Sequence, residues 1–238
     1  MKKITLSMFR NVYANIVIVM VVAIIACFSV AGYKINAFAS SELFAIYNGD
    51  KSKNNVSLMI NVYWGNEFIP EMLDTLKQND VKCTFFVGGC WAAGNHDLLK
   101  KIYDDGHEIG NHGYYHKDHD KISYDRNKSE IDLCHKVVKS VIGYEMNLFA
   151  PPSGAYNQTT LECANSLGYK TIMWTHDTID WRDQNSGLII SRATEKTENG
   201  SFILMHPTEK TMQSLQTIID VLKAKGFNLT TVGNNLGL

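Results

Sequence analysis

No excess of positive charge marks this chain: 23 lysines and arginines stand against 24 aspartates and glutamates in 238 residues. The balance is uneven along the sequence. Lys2, Lys3, Arg10 and Lys34 are the only charged residues among the first 39, and the remainder carries 19 basic and 24 acidic residues, a net charge near −5. A body of that sign has no electrostatic footprint for a phosphate backbone, which excludes nucleic acid as a partner. Internal repeats and low-complexity tracts are also missing, and 45% hydrophobic with 20% charged residues is the composition of a globular protein. Cysteine is scarce, and Cys83, Cys90, Cys134 and Cys163 match no zinc-ribbon spacing. They read as free, mostly buried thiols, with a Cys83–Cys90 bridge as a lesser alternative.

Charge is missing altogether between Ile16 and Tyr33, 18 residues rich in Val, Ile and Ala. The basic residues before this run predict an N-terminus left in the cytoplasm and a body exported beyond the membrane. Residues 1–39 are therefore expected to be a membrane anchor, spanning at residues 16–33, or a signal peptide cut near Ala39, after the small-x-small site Ala37-Phe38-Ala39. Residues 40–55 read as a polar linker, and 56–238 as one domain.

Within that domain short β-prone runs alternate with amphipathic segments. Strands are expected at Val56–Val62, Cys83–Val87, Glu108–Asn111, Lys170–Trp174, Phe202–Met205 and Asn228–Val232. Helices are expected at Glu67–Asn79, Asp97–Asp104, Ser129–Ile142, Thr159–Leu167, Leu188–Lys196 and Thr211–Lys225. Pro151-Pro152 interrupts any regular element after Leu148–Ala150. Repeated strand–helix units predict a parallel sheet covered by helices. In such folds chemistry gathers at the C-terminal ends of strands. Asn61, His112, Asp177, Asp180 and His206 all fall there.

Half of the eight histidines lie between positions 107 and 119. In Gly106-His107-Glu108-Ile109-Gly110-Asn111-His112-Gly113-Tyr114-Tyr115-His116, two stand at H-x3-H spacing, which allows both imidazoles to face one metal ion. Alone, that spacing also suits a polar surface loop. With Val81-Lys82-Cys83-Thr84-Phe85-Phe86-Val87-Gly88, Asp177-Thr178-Ile179-Asp180-Trp181 and Ile203-Leu204-Met205-His206, it resembles the polysaccharide deacetylase family, the NodB-homology domain. The resemblance covers about Val56 to Val232. It implies a distorted (β/α) barrel of seven or eight strands and hydrolysis of an N-acetyl group on a cell-wall or related glycan.

The resemblance also implies roles. His112 and His116 would hold a divalent metal, with Zn expected, which polarises the acetamide carbonyl and activates water. His206 would protonate the leaving amine, paired with Asp180. Trp181 and Leu204 would wall the acetyl pocket, a backbone N–H near Ser153 would hold the oxyanion, and Pro152, Tyr63 and Trp64 would complete the substrate pocket. Without the motif, Trp181 and Leu204 would read as ordinary core.

One half of the pattern is degenerate. The family's first motif, T-F-D-D-G, supplies the base and the third metal ligand. Counting back from Thr84 puts Asn61 at the base position and Val62 at the ligand position. A carboxamide cannot take a proton from water and valine has no donor atom. The third motif, R-P-P-x-G, reads Ala150-Pro151-Pro152-Ser153-Gly154, without its arginine. Asp118, His119 and Asp177 are the candidates for a replacement ligand. Two functions follow: a slow, metal-dependent glycan deacetylase, or a pseudo-deacetylase that binds glycan without cleaving it. A purely structural envelope protein is a weaker third reading, because a scaffold has no need of the Asp180–His206 pair.

Overall fold

The computed structural model describes residues 6–37 and 43–238, with side chains described for 12–27 and 43–238. Two units are present, divided at Leu43. In the first, the described residues form the helix α1 (Leu6–Ala37). Among the described residues, no helix is long and apolar enough to cross a membrane. The expected span at 16–33 continues beyond the described side chains, and the cleavage site near Ala39 lies outside the described residues.

The second unit carries eight strands: β1 (Asn55–Val62), β2 (Thr84–Val87), β3 (Glu108–Asn111), β4 (Leu148–Phe149), β5 (Lys170–Thr171), β6 (His176–Asp177), β7 (Phe202–Met205) and β8 (Asn228–Leu229). Their order is β5-β4-β3-β2-β1-β7-β6, with β8 beside the start of β1, and every pairing is parallel. Among the described residues the edge strands β5 and β6 do not pair with each other, so the expected distorted barrel is an eight-stranded half-barrel open at one seam. The outer layer contains α2 (Ile69–Gln78), α3 (Gly89–Gly94), α4 (His96–Asp104), α5 (Tyr124–Ile142), α6 (Gln158–Ser166), α7 (Ser186–Thr194) and α8 (Glu209–Ala224), and α9 (Val232–Leu236) closes the chain.

Strand β1 shows how the sequence divides the two layers. Leu58, Ile60 and Val62 belong to the core between sheet and helices, whereas Met59 joins a second cluster with Phe86, Leu148 and Phe202. The alternation follows from the two-residue period of a strand. Burial on both faces explains why β1 reads as a nearly continuous apolar run. Helix α8 turns Leu215, Ile218, Ile219 and Leu222 into the outer core and starts on Thr208, whose Oγ1 accepts the Thr211 N–H at 3.0 Å.

Several boundaries differ from the sequence expectation. Helix α5 begins five residues early, because Ser123 caps it by accepting from Arg126 N–H. The last strand stops at Leu229, where Thr231 caps α9 instead. The fifth strand ends at Thr171, two residues into its expected run. The segment expected as a linker is, from Phe44 onward, bonded to the body. Ile46 N–H donates to Thr171 O and its carbonyl accepts from Met173 N–H, both at 2.8 Å, while Asn48 bridges Ser201. It thereby covers hydrogen-bonding groups beside the open seam, which an edge would otherwise leave bare.

His107 leaves the histidine cluster altogether. It is buried at the start of β3, packs edge-on against Phe85, and accepts the Cys83 N–H on Nδ1 at 3.3 Å. Burial pushes its pKa down from 6.5 to about 4. Between those values the unfolded chain takes up a proton that the folded chain refuses. Stability is therefore lost as pH falls from about 6.5 to about 4 and levels off below, by a total on the order of 3 kcal/mol. Urea melts across that window should show the loss, and His107→Leu should remove about 3 kcal/mol of it, leaving the share of the other buried imidazoles. An unchanged acid limb in the variant would refute the assignment.

Candidate active site

A cavity of about 410 Å³ opens at the C-terminal ends of β1, β3, β6 and β7. Asn61, His112, His116, Asp177 and His206 reach it from distant parts of the sequence. Its apolar walls are Trp64, Trp174, Trp181 and Leu204.

The H-x3-H pair is built for its position. The His112 Nδ1–H donates to Ala150 O at 2.7 Å, which leaves the Nε2 lone pair bare. Its ring centroid lies 5.1 Å from that of His116. The turn between them passes through Gly113 at φ +70° and brings His116 itself into the left-handed region at φ +55°. Buried Glu130 on α5 holds that turn: one carboxylate oxygen accepts from Tyr114 N–H at 2.9 Å and Tyr115 N–H at 2.6 Å, and the other pairs with Arg126. Burial lowers both imidazole pKa values, that of His112 far below the ordinary range, so both rings are neutral acceptors.

The opposite wall holds His206. Asp180, fully buried, accepts the His206 Nδ1–H at 2.8 Å on one oxygen. Its other oxygen accepts the His206 backbone N–H at 2.6 Å and the Thr211 hydroxyl at 2.5 Å. The carboxylate thus fixes ring and backbone together. The turn that carries it puts Ile179 at φ +53°, rare for a β-branched residue. The Asp177 Oδ1 secures that turn by accepting the Ile179 N–H at 2.8 Å.

The first-motif register needs correction. Val62 is buried in the outer core and does not line the cavity, since it occupies the helix-facing phase of β1. Past the strand end, the Tyr63 ring meets His116 at 5.0 Å and the Trp64 ring stacks on His206 at 6.2 Å, 6° from parallel. Gly65 follows at φ +81°, where a Cβ would lie 2.0 Å from Pro207 O. Only glycine fits there, which identifies it as the motif's closing glycine. With T-F-D-D-G anchored on Gly65, Tyr63 and Trp64 occupy the two aspartate positions. The count back from Thr84 spans α2 and both of its flanking loops, and a connection of different length there moves the register. Asn61 still lines the cavity, with its buried Oδ1 lacking a hydrogen-bond partner.

Each candidate for a replacement ligand already has one donor atom engaged. Asp118 pairs with Lys121 at 2.7 Å, His119 is buried against Asn127 at 2.5 Å, and the Asp177 Oδ1 is held by its own turn. Among the described residues, no group of three His, Cys, Asp or Glu stands ready for a metal. Two imidazoles beside an aromatic ring do not fit a divalent ion that expects at least three protein ligands. Ala150 is buried, and its methyl group has no charge to steady a carboxylate as the motif's arginine would. Ser153, at φ +57°, lines the cavity, whereas Pro152 is buried beside Gly113 rather than in the wall. Trp174 and Glu130 escaped the sequence reading. The first was hidden at the end of an expected strand, and the second is a helix carboxylate whose role exists only through its contact with the histidine turn.

Comparison with known proteins agrees with this geometry. The polysaccharide deacetylase family model matches residues 48–172. The uncharacterized Bacillus subtilis protein YlxY is 42% identical over 187 residues, 79% of this chain, and the chain spans only 59% of that relative. A peptidoglycan-N-acetylglucosamine deacetylase of Bacillus cereus is 31% identical over 191 residues, covering 78% of this chain and 70% of its own. Among solved structures, BA3943, a CE4 family pseudoenzyme from Bacillus anthracis, superposes with a TM-score of 0.80 at 36% identity, over 82% of this chain and 69% of its own. A mutant of BA3943 with restored enzymatic activity superposes equally well, at 34% identity over 82% and 72%. With the motif histidines on one wall of the cleft and the Asp180–His206 pair on the other, the chain belongs to the polysaccharide deacetylase family.

Proposed function

We propose that the protein is a glycan-binding pseudo-deacetylase: its cleft takes an N-acetylated sugar of the peptidoglycan type and does not cleave it at an enzymatic rate. The observation that carries this reading is the pair Tyr63 and Trp64, aromatic rings set against His116 and His206 where the family keeps two carboxylates. Hydrolysis in this family relies on a carboxylate at that position to take a proton from water. The Asn61 carboxamide has no basic atom, and burial holds the Tyr63 phenol above its ordinary value of 10, so phenolate is absent near neutrality. The similarity to a family pseudoenzyme, and to deacetylases acting on peptidoglycan, supports both halves of the reading.

What remains is suited to binding. Trp64, Trp174, Trp181 and Leu204 present apolar faces for an acetyl methyl and the C–H face of a pyranose. The bare His112 Nε2 is an acceptor for an amide or hydroxyl hydrogen. His206, oriented by Asp180, offers Nε2 from the other side. That intact pair favours a second reading, a residual hydrolase, in which loss of the base forfeits about 10²–10⁴-fold in rate. The proposal places the body outside the cytoplasmic membrane, held by residues 16–33 or released by cleavage near Ala39.

Calorimetry with N-acetylglucosamine oligomers and an assay for released acetate test the proposal together. Binding without release is expected, and Trp181→Ala should weaken binding by roughly tenfold. Acetate release at about one turnover per second or faster would place the protein among ordinary enzymes instead.

A further inference from the structure

A second cavity of about 400 Å³ adjoins the first, and Tyr63 and Trp64 line both. Its remaining wall carries an ordered amide cycle. The indole N–H of Trp91, a buried residue on α3, donates to Asn66 Oδ1 at 2.5 Å. Asn66 Nδ2 donates to Asn95 Oδ1 at 2.6 Å, and Asn95 Nδ2 donates back to Trp91 O at 2.8 Å. Each carboxamide is thereby locked in one orientation. Each also keeps one N–H and one carbonyl lone pair unspent, and Asn66 is exposed.

From this arrangement we infer that the second cavity is a saccharide subsite, which takes the sugar joined to the one in the main cleft. The inference rests on the glycan-binding reading above. Three features favour a sugar over a peptide or a charged ligand. Fixed donor and acceptor groups side by side match hydroxyls, which need both at once. Trp64, 46% exposed, forms a wall common to both cavities, so one chain of linked rings can contact it from either side. The exposed Glu67 is the only formally charged side chain in the lining. Preorganisation lowers the entropy lost when such polar contacts form.

The test is chain-length dependence measured by calorimetry, using N-acetylglucosamine and its β-1,4-linked dimer and trimer. The dimer should bind about tenfold more tightly than the monomer. Asn66→Ala should remove that gain while leaving monomer affinity unchanged. As a check that does not depend on a variant, the side-chain amide NMR signals of Asn66 and Asn95 should shift on adding dimer and stay in place with monomer. Equal affinities for monomer and dimer, or a gain that survives in Asn66→Ala, would overturn the subsite and leave the main cleft intact. If no sugar of any length binds, both readings fall together.

Discussion

The double variant Tyr63→Asp, Trp64→Asp releases acetate from N-acetylglucosamine oligomers at least about 10²-fold faster than the parent chain, the lower end of what a general base contributes. The expectation comes from position. Both residues follow the end of β1, and their rings already touch His116 and His206. Carboxylates there stand beside two neutral imidazoles and opposite an oriented His206. One supplies the missing proton acceptor, and the other brings the donors around His112 and His116 to three. The variant should also take up Zn in calorimetry, where the parent, one ligand short, does not. Adding Ala150→Arg gives the new carboxylates a cationic partner. The same change alone buries an unpaired guanidinium and should destabilise the fold.

The control lies one position earlier in the strand. Val62→Asp puts a carboxylate into the outer core, packed with Leu58, Ile60 and Phe85. No partner waits there, and the cost should be several kcal/mol in a denaturant melt without any gain in activity. A folded double variant that neither hydrolyses amide nor binds Zn would show that the cleft has diverged beyond these two residues. Gain of activity from Asn61→Asp, Val62→Asp would restore the register that the geometry rejects.

Asp180→Ala costs about 3–5 kcal/mol, since each of the three donors left without an acceptor costs about 1–3 kcal/mol. The carboxylate is fully buried and accepts three hydrogens: from the His206 ring, the His206 backbone and the Thr211 hydroxyl. Alanine strands all three donors and frees the His206 ring to turn away from the cleft. Urea unfolding measures the loss, and the His206 imidazole signals in NMR report the ring. Thr211→Val, which removes one of the three, should cost only about 1 kcal/mol. A change below about 1 kcal/mol in Asp180→Ala would mean that water replaces the carboxylate, and that the pair is not the rigid element described here.

Legibility of the sequence followed the nature of each signal. Strand β7 lies where its apolar run placed it, because burial on both faces writes itself into consecutive residues. Strand β6 has two residues, too few for a periodic signal, and was not foreseen. His112, His116, Asp180 and His206 were legible because their motifs keep fixed local spacing. Their partners were not: Glu130 sits on a helix that reads as ordinary amphipathic sequence, and Trp174 in a run that reads as a strand.

The sequence alone determined the alternation of strands and helices, and it identified the groups that carry chemistry. Hydrophobic period and motif spacing are local properties, so no folded structure was needed to read them. Tertiary structure decided which of four clustered histidines share a cleft, and which residues of β1 and its loop confront them. Those choices depend on strand phase and loop length, quantities that a spacing count carries along without seeing. A shift of one residue turns a side chain from cleft to core, and a shift of two replaces the residues facing His116 and His206.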